Sequence, residues 1–364
     1  MIPWAKPCYY GHEKKYINQA LKSTWLSDGK FVKDLENKVC KFVNSKFAIS
    51  VTSCTSALHL SYLALKLKRG DEVIIPGYGY LAAANISLQM GLKPIFADVD
   101  LETFCVTSKE IEKKITSKTK LIVLFNTYGN VCDLDPIMKI AKIKKICVLE
   151  DAAESFGSLY KTKQSGTLAD IGTYSFQATK TITTGEGGMV VTNKDQNFIE
   201  RLKSFRNHGI KDKRYHHYFP GHNFRLTNIQ AAIGCAQLKK IDKIISERKR
   251  IYHFYRDLFI NIDGLKLQIF FPKVKPVVWT FAIVLDSKAF TNRDKIIKIM
   301  KAKGIETRNG FYSPNRLSIY RECDTSNLKY SEKLSKNIIC LPFFTKLKER
   351  EMEYIAKTLL NLKR

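Results

Sequence analysis

The chain of 364 residues is 45% hydrophobic and 26% charged, the composition of an ordinary globular protein, which excludes a disordered or fibrous one. It has no apolar run of membrane-spanning length and no N-terminal apolar segment of the secretory type, so we expect a cytoplasmic protein without membrane insertion. The formal net charge is +27, but the basic residues are dispersed and form no recognisable nucleic-acid-binding module, which favours a lysine-coated surface over a nucleic-acid partner.

The first half of the chain alternates short apolar runs with helical patterns. The apolar runs predict seven strands, at 47–53, 71–76, 93–99, 120–125, 146–150, 173–177 and 189–193. Helical patterns lie between several of them, at 55–67, from Ala82 onward and near 133–144. Near-continuous apolar strands separated by helices are typical of a mostly parallel sheet that is covered on both faces.

The rest of the chain predicts a smaller α/β unit. In chain order we expect a long helical stretch at 227–260, a strand at 277–285, a helix at 292–303, a strand at 338–342 and a final helix at 348–362. A chain of this length favours two domains. We therefore expect a large ligand-binding domain of residues 1–245 and a small C-terminal domain of residues 246–364.

Two residues at neighbouring strand ends indicate chemistry. Ligands of open α/β sheets bind beyond the carboxyl ends of the strands. Asp151 directly follows the predicted strand 146–150, and Lys180 lies just past the next strand. Asp151 alone would most simply be a helix N-cap. Together, an acid that keeps a ring nitrogen protonated and a lysine that forms a Schiff base with an aldehyde suit a pyridine cofactor, pyridoxal 5′-phosphate.

Such a cofactor also requires a site for its phosphate. The turn that opens the helix 55–67 offers free amides at Thr55 and Ser56, together with the positive end of the helix dipole. Ser175, five residues before Lys180, adds a hydroxyl. Each of these residues is individually explained as a cap or a strand hydroxyl. Their combination with the acid and the lysine is what favours a phosphate site.

Other features of this region have simpler explanations. Tyr80 follows another strand and is able to stack on a ring, although core packing explains a lone tyrosine as well. Gly185, Gly187 and Gly188 match neither a Walker nor a Rossmann pattern, so we expect them to permit a tight turn. The nine cysteines include no CxxC pair and no zinc-ligand spacing, so we expect neither disulfides nor a metal site.

Several segments follow one another in a specific order, namely TWLSDGKFVKDLE, TSALHLSYLAL, VLEDAAESFGS, SFQATKTITTGEGGMVVT, RNHGI, GHNFRLTNIQAAIGCAQL and GIETR. Their order and spacing resemble the DegT/DnrJ/EryC1/StrS family of sugar aminotransferases over nearly the whole chain. This resemblance implies the fold of aspartate aminotransferase, known as fold type I. It also implies pyridoxal 5′-phosphate as cofactor, with pyridoxamine 5′-phosphate formed during the reaction, and a homodimer whose active sites lie at the subunit interface.

The resemblance implies roles for individual residues. Lys180 corresponds to the Schiff-base lysine and Asp151 to the partner of the pyridine nitrogen, and these are the two expected catalytic residues. The further residues implied to contact the cofactor are Thr55, Ser56, Tyr80, Glu154, Ser175 and, in the partner subunit's chain, Asn223. The residues expected to contact the substrate are Lys30, Arg225, Arg308 and Tyr312.

Within the family, the chain is most similar to 4-aminotransferases of the GDP-perosamine synthase type. Related dehydratases carry histidine at the position of Lys180, so a lysine there implies amino transfer. The implied reaction moves the amino group of L-glutamate to a 4-keto-6-deoxy sugar nucleotide resembling GDP-4-keto-6-deoxymannose. Its product would be a 4-amino-4,6-dideoxy sugar nucleotide for surface glycans such as lipopolysaccharide O-antigen.

Two segments depart from the family pattern. Asn309, Tyr312 and Asn315 stand where relatives carry a proline and two histidines, and QAT precedes Lys180 where close relatives carry FGN. Both segments lie near the substrate in the family, so the sugar and its nucleotide stay open. The alternative substrates are a dTDP-linked 3-keto sugar and another activated polyol. Alternatives of other classes are a pyridoxal-phosphate-binding regulator without turnover and a purely structural interaction protein.

Overall fold

The computed structural model describes every residue from Met1 to Arg364. Its strands are β1 (Phe47–Val51), β2 (Glu72–Pro76), β3 (Lys93–Ala97), β4 (Thr119–Phe125), β5 (Cys147–Asp151), β6 (Leu159–Tyr160), β7 (Lys163–Gln164), β8 (Ile171–Ser175), β9 (Gly188–Thr192), β10 (Leu265–Leu267), β11 (Val274–Lys275), β12 (Phe281–Leu285), β13 (Arg308–Asn309) and β14 (Ile338–Leu341). Its α-helices are α1 (Glu13–Lys22), α2 (Lys30–Val43), α3 (Cys54–Ala64), α4 (Ala82–Gln89), α5 (Ser108–Glu112), α6 (Leu134–Lys144), α7 (Gln196–Arg206), α8 (Asn228–Leu238), α9 (Ile241–Phe259), α10 (Arg293–Ala302), α11 (Lys329–Asn337) and α12 (Glu349–Leu360). These helices include no candidate for a membrane-spanning segment.

Seven strands form one central sheet in the order β1-β9-β8-β5-β4-β2-β3. β9 runs antiparallel to both of its neighbours, whereas the remaining strand pairs of this sheet are parallel. Alternate side chains of β4 enter opposite cores, because Ile122 and Leu124 pack into one cluster and Leu121 and Val123 into another. The prediction of an α/β fold with a mostly parallel sheet covered on both faces is therefore confirmed.

The C-terminal part contains a second sheet of four antiparallel strands, in the order β10-β12-β14-β13. Residues of α9, α10 and α12 pack with it into a separate core. The helical stretch predicted at 227–260 is two helices, α8 and α9. α9 connects the two parts, since Ile244 packs into a core of the central sheet and Ile251 into the core of the second sheet. The domain division after residue 245 falls within α9 and stays a prediction.

Most of the predicted strands differ by one or two residues at an end from those of the structure, and two differences lie beside a cavity. The run 277–285 forms a strand only from Phe281 onward. The reason is that the backbone N–H of Trp279 donates to the carbonyl of Tyr128 at 3.2 Å instead of to a neighbouring strand. The run 173–177 is also displaced, because β8 ends two residues before the predicted end. Trp279, which precedes β12, and Gln177, which follows β8, line a cavity instead of extending the strands.

The parallel strands bring residues that are distant in sequence to one edge of the sheet. Phe125 at the end of β4 is in register with Asp151 at the end of β5, and Asp151 is in register with Thr173 of β8. The turn between β1 and α3 lies at the same edge, because β9 pairs with both β1 and β8. A site at this edge can therefore combine side chains from several strand ends.

Two glycines before and within β9 are required for different reasons. Gly185 has a φ of +85° in the turn, and a Cβ there would meet no atom within 4 Å. Gly188 instead lies against the turn that precedes α3, where its Cβ would be 2.4 Å from the carbonyl carbon of Ser53. Gly185 therefore permits the turn, and Gly188 permits two backbone segments to approach each other closely.

We expect Gly188→Ala to destabilise the protein more than Gly185→Ala. At position 188 the added methyl group meets backbone atoms, which cannot rotate away, so the free energy of unfolding should fall by roughly 3 kcal/mol. At position 185 the cost is limited to the left-handed backbone conformation, roughly 1 kcal/mol. Urea denaturation of both variants and the unmodified protein measures the difference, and equal losses would contradict the close approach at Gly188.

Candidate active site

A cavity of about 510 Å³ opens at the carboxyl edge of the central sheet. One wall, here called the polar wall, follows the ends of the central strands and includes Cys54, Thr55, Tyr80, Asp151, Glu154, Ser175 and Lys180. The facing wall, here called the aromatic wall, comprises Trp4, Trp279, Arg308 and Phe311. The cavity is thus built from the central sheet on one side and from the chain's first residues and its C-terminal part on the other.

Lys180 lies in the loop between β8 and β9 and extends into this cavity. Its Nζ donates a hydrogen bond to Glu154 Oε1 at 3.4 Å. The same Nζ lies 3.7 Å from the ring centroid of Trp279, which is a close cation–π contact. The Trp279 indole N–H donates in turn to the carbonyl of Thr179 at 3.0 Å. The ammonium group is therefore held between a carboxylate and an aromatic face.

Asp151 ends β5 and is almost fully buried. Its Oδ1 accepts a hydrogen bond from the backbone N–H of Ala153 at 3.1 Å and a weak one from Cys54 Sγ at 3.8 Å. Burial raises the pKa of Asp151 from 3.8 to about 6, although the Ala153 amide and the charge of Lys180 act in the opposite direction. The carboxylate lies in the cavity without a direct cationic partner.

Glu154 is the second buried acid of the polar wall. Its Oε2 accepts from the backbone N–H of Tyr128 at 3.0 Å, on the side away from Lys180. Burial raises the pKa of Glu154 to about 7, with the charge of Lys180 opposing that rise. Near neutral pH this carboxyl group can therefore either carry a proton or accept one from the amine beside it.

The N-terminus of α3 contributes backbone donors to the polar wall. The Ser53 hydroxyl accepts a hydrogen bond from the amide of Ser56 at 3.1 Å, which caps the helix. The amides of Cys54 and Thr55 have no hydrogen-bond acceptor within the protein. Together with the helix dipole these two amides provide a site for an anionic group. The predicted use of the Ser56 amide would require the Ser53 cap to open.

The aromatic wall is a continuous set of ring contacts. Trp4 and Trp279 pack edge to face at 5.5 Å between ring centroids. Tyr128 stacks on Trp279 at 6.1 Å and on Phe311 at 5.4 Å. The guanidinium group of Arg308 lies 4.6 Å from the ring centroid of Trp4, at the edge of the wall. This surface offers an apolar face to a ligand and one exposed cation next to it.

The structure brings together seven of the residues predicted from the sequence. Those that line the cavity are Thr55, Tyr80, Asp151, Glu154, Ser175, Lys180 and Arg308. Tyr80 is 65% exposed and contacts Phe311 edge to face at 6.3 Å between centroids, so it lies at the cavity surface and not in the core. The Ser175 hydroxyl accepts from the amide of Gln177 at 3.4 Å and lies at the end of β8.

Five predicted residues do not line the cavity of the single chain, namely Ser56, Asn223, Lys30, Arg225 and Tyr312. Lys30 is paired with Asp34 on the surface of α2. Arg225 donates to the side chain of Asn223 at 3.1 Å. Tyr312 is 45% exposed and packs against Arg316. The contacts expected of these residues stay predictions.

Several residues of the site could not be predicted from the sequence. Trp4 lies near the start of the chain, and Trp279 falls within an apolar run that predicts a strand. Phe311 lies in a segment that departs from the family pattern. The sequence did not indicate, however, that its ring would pack between Tyr128 and Tyr80. These rings become part of one surface only through the packing of the second sheet on the first.

The residues of the cavity fit pyridoxal phosphate. The polar wall combines an amine that can react with an aldehyde, a buried carboxylate in need of a cationic partner and two helix amides without acceptors. The cavity of about 510 Å³ is within the size range of pockets that bind cofactors. No group of three or more histidine, cysteine, aspartate or glutamate side chains is arranged to hold a metal ion.

Comparison with known proteins agrees with this chemistry. The sequence profile of the DegT/DnrJ/EryC1/StrS aminotransferase family matches residues 7–360. GDP-perosamine synthase of Escherichia coli O157:H7 is 40% identical over 361 residues, which cover 98% of this chain and 97% of the relative.

Solved structures support the same assignment. Spr1654 of Streptococcus pneumoniae in its PMP form superposes with a TM-score of 0.94 at 26% identity, covering 100% of this chain and 99% of that one. Escherichia coli GDP-4-keto-6-deoxy-D-mannose-3-dehydratase with bound hydrated PLP superposes with a TM-score of 0.92 at 27% identity, covering 99% of each chain.

These matches confirm the predicted resemblance, the type I fold and pyridoxal phosphate as the cofactor. The chain belongs to the DegT/DnrJ/EryC1/StrS aminotransferase family and is a pyridoxal-phosphate-dependent sugar aminotransferase.

Proposed function

We propose that this enzyme transfers the amino group of L-glutamate to carbon 4 of a 4-keto-6-deoxy sugar nucleotide of the GDP-4-keto-6-deoxymannose type. The observation that carries the proposal is the Lys180 amine, held 3.4 Å from Glu154 in a cavity that also contains Asp151. The similarity to a GDP-perosamine synthase at 40% identity supports the choice of sugar nucleotide. The product is a 4-amino-4,6-dideoxy sugar nucleotide for a surface glycan.

The polar wall holds the cofactor. When bound, pyridoxal phosphate supplies an aldehyde that combines with amines and a ring that withdraws electrons from the carbon that loses a proton. Asp151 keeps the proton on the ring nitrogen, because a buried carboxylate without a cationic partner is stabilised by the positive charge of the protonated ring. The amides of Cys54 and Thr55 and the hydroxyl of Ser175 would hold the phosphate, and Tyr80 is placed at the cavity surface where an aromatic ring could contact the cofactor.

Lys180 carries the proton between the donor's α-carbon and the cofactor. Its flexible side chain allows the amine to bond to the aldehyde and, once released, to act as a general acid and base at the same place. Glu154 lies within hydrogen-bond distance of that amine. Since burial raises the pKa of Glu154 to about 7, its carboxyl group can take up or return a proton as Lys180 changes its charge.

The aromatic wall receives the sugar nucleotide. Trp4, Trp279 and Phe311 present apolar ring faces, which suit the C–H surfaces and the methyl group of a deoxy sugar. Arg308 has an exposed guanidinium group beside Trp4 and is placed to bind the diphosphate.

A homodimer completes the site in this proposal. Asn223 is exposed and lies outside the cavity of its own chain, and Lys30 and Arg225 also lie outside it. By resemblance to the family, Asn223 of the partner subunit reaches the cofactor phosphate. The basic residues Lys30 and Arg225 meet the nucleotide across the same interface.

A substrate panel tests the proposed reaction. We expect conversion of GDP-4-keto-6-deoxymannose with L-glutamate to a 4-amino product, identified by mass spectrometry and proton NMR. Lys180→Ala should lower kcat by on the order of 10⁴-fold, because it removes the only amine at the reacting carbon. Conversion of a dTDP-linked 3-keto sugar instead would favour the 3-aminotransferase alternative, and cofactor binding without conversion of any keto sugar would favour a regulator.

Asp151→Asn should stabilise the protein against unfolding when no cofactor is bound and destabilise it when cofactor is bound. The folded-state pKa of Asp151, about 6, is above its ordinary value of 3.8, so the carboxylate destabilises the cofactor-free fold increasingly as pH rises through this window. The neutral amide avoids this cost. The stability advantage of the variant should grow by about 1 to 2 kcal/mol between about pH 5 and about pH 8.

With cofactor present, the unmodified protein should be more stable than Asp151→Asn at about pH 8. The reason is that the amide cannot hold the proton on the ring nitrogen. Thermal denaturation of both proteins at the two pH values, with and without pyridoxal phosphate, measures both effects. Both proteins keep Lys180 and Glu154, so a difference between them reports on residue 151 alone. A variant that binds the cofactor as tightly as the unmodified protein would contradict the role of Asp151.

A further inference from the structure

Arg248, in the middle of α9, is a buried cation without an acidic partner. It is only 4% exposed, and all the hydrogen bonds of its guanidinium group go to backbone carbonyls, none to a carboxylate. Burial lowers the pKa of its guanidinium group to about 10. A buried charge without a counter-charge is costly and is retained only where its hydrogen bonds compensate for the lost hydration. The bonds that Arg248 makes therefore indicate what it stabilises.

The guanidinium group binds three backbone carbonyls from two loops of the active site. Its Nη1 donates to the carbonyl of Val278 at 3.1 Å and to that of Trp279 at 3.2 Å. Its Nη2 donates to the carbonyl of Lys180 at 3.3 Å. No other donor in the protein reaches any of these three oxygens. One planar side chain thus satisfies the backbone of both loops, which the single ammonium of a lysine could not do.

The two loops are also the ones whose side chains meet inside the cavity. Lys180 Nζ lies over the ring of Trp279, and the Trp279 indole binds the carbonyl of Thr179. Arg248 fixes the backbone at both ends of this contact from the side opposite the cavity. The position of the Lys180 amine relative to Glu154 therefore depends on a side chain that does not line the cavity itself.

A second, much smaller cavity of about 20 Å³ lies on this opposite side and is lined by Arg248, Lys180, Tyr10 and Thr345 among others, none of them acidic. The Nε of Arg248 and the hydroxyl of Tyr10 have no hydrogen-bond partner in the protein. The surroundings thus provide no carboxylate for the guanidinium charge, and its hydrogen bonds go to the three carbonyls.

We propose that Arg248 is a positioning residue of the amino transfer proposed above, on which this inference rests. It does not touch the cofactor or the substrate. It acts by holding the Lys180 loop and the Trp279 loop in register, so that the amine stands where it reacts. A displacement of about 1 Å at a reacting group is enough to slow catalysis on the order of 100-fold.

The test compares Arg248→Lys and Arg248→Ala with a matched control, Arg250→Ala. Arg250 lies on the same helix and also donates to a backbone carbonyl, that of Leu347 at 2.9 Å, but it is exposed and lines neither cavity. For each protein we would measure the melting temperature, kcat and KM. We would also measure the rate at which borohydride fixes pyridoxal phosphate on Lys180, located by peptide mass mapping.

We expect both Arg248 variants to lower kcat and the trapping rate by on the order of 10- to 100-fold, with KM changed by less than about threefold. Arg250→Ala should leave all three unchanged. Low concentrations of guanidinium ion should partly restore kcat and trapping in Arg248→Ala, since the ion can occupy the space beside the small cavity. A purely structural role predicts the reverse, because guanidinium destabilises folded proteins.

Unchanged kcat and an unchanged trapping rate in folded Arg248→Lys would overturn the inference. It would also be overturned if kcat and the trapping rate fell only in proportion to the melting temperature and fell further with guanidinium. Arg248→Lys keeps the charge and most of the volume, so it remains informative if the alanine variant does not fold. The trapping rate requires only the cofactor. Failure of the unmodified protein to aminate any keto sugar would therefore refute the proposed substrate while the role of Arg248 was still measured.

Discussion

The side chains of one amine and two buried carboxylates share the cavity, and this charge imbalance governs the site. A single ammonium at Lys180 cannot neutralise both acids, and burial raises the pKa of Asp151 to about 6 and that of Glu154 to about 7. The cofactor-free fold therefore carries an electrostatic cost at neutral pH. In the role proposed for Asp151, a protonated pyridine nitrogen beside it would remove that cost, so the same imbalance would contribute to the free energy of cofactor binding.

The architecture explains how these charges come together. Because both faces of the central sheet are covered by cores, the ends of its strands are the part left open to a ligand. Asp151 closes one strand, and Lys180 follows the neighbouring one. The antiparallel β9 then brings Gly188 against the turn before α3, which sets the helix amides beside the amine. Each of these groups is placed by the short segment that carries it, and the order of the strands in the sheet makes the groups neighbours.

The parts of the site that depend on local pattern were predictable, and the parts that depend on long-range packing were not. Asp151 and Lys180 were identified because an apolar strand followed by a polar residue can be recognised within a few positions. Trp4 and Trp279 are distant in the sequence and meet only because the second sheet packs against the first. Arg248 is one of 61 lysine and arginine residues, and nothing in the neighbouring sequence distinguishes it as a buried one.

The same contrast between local and long-range effects applies to charge. The net charge of +27 describes the whole chain, but the cavity lining contains three acids, Asp151, Glu154 and Glu186, and two cations, Lys180 and Arg308. The positive excess therefore resides outside the cavity. A positive surface raises the local concentration of an anionic sugar nucleotide through a field that salt screens. A nearly balanced cavity leaves recognition to individual contacts, so attraction of the substrate and positioning of the reacting carbon are carried by different residues.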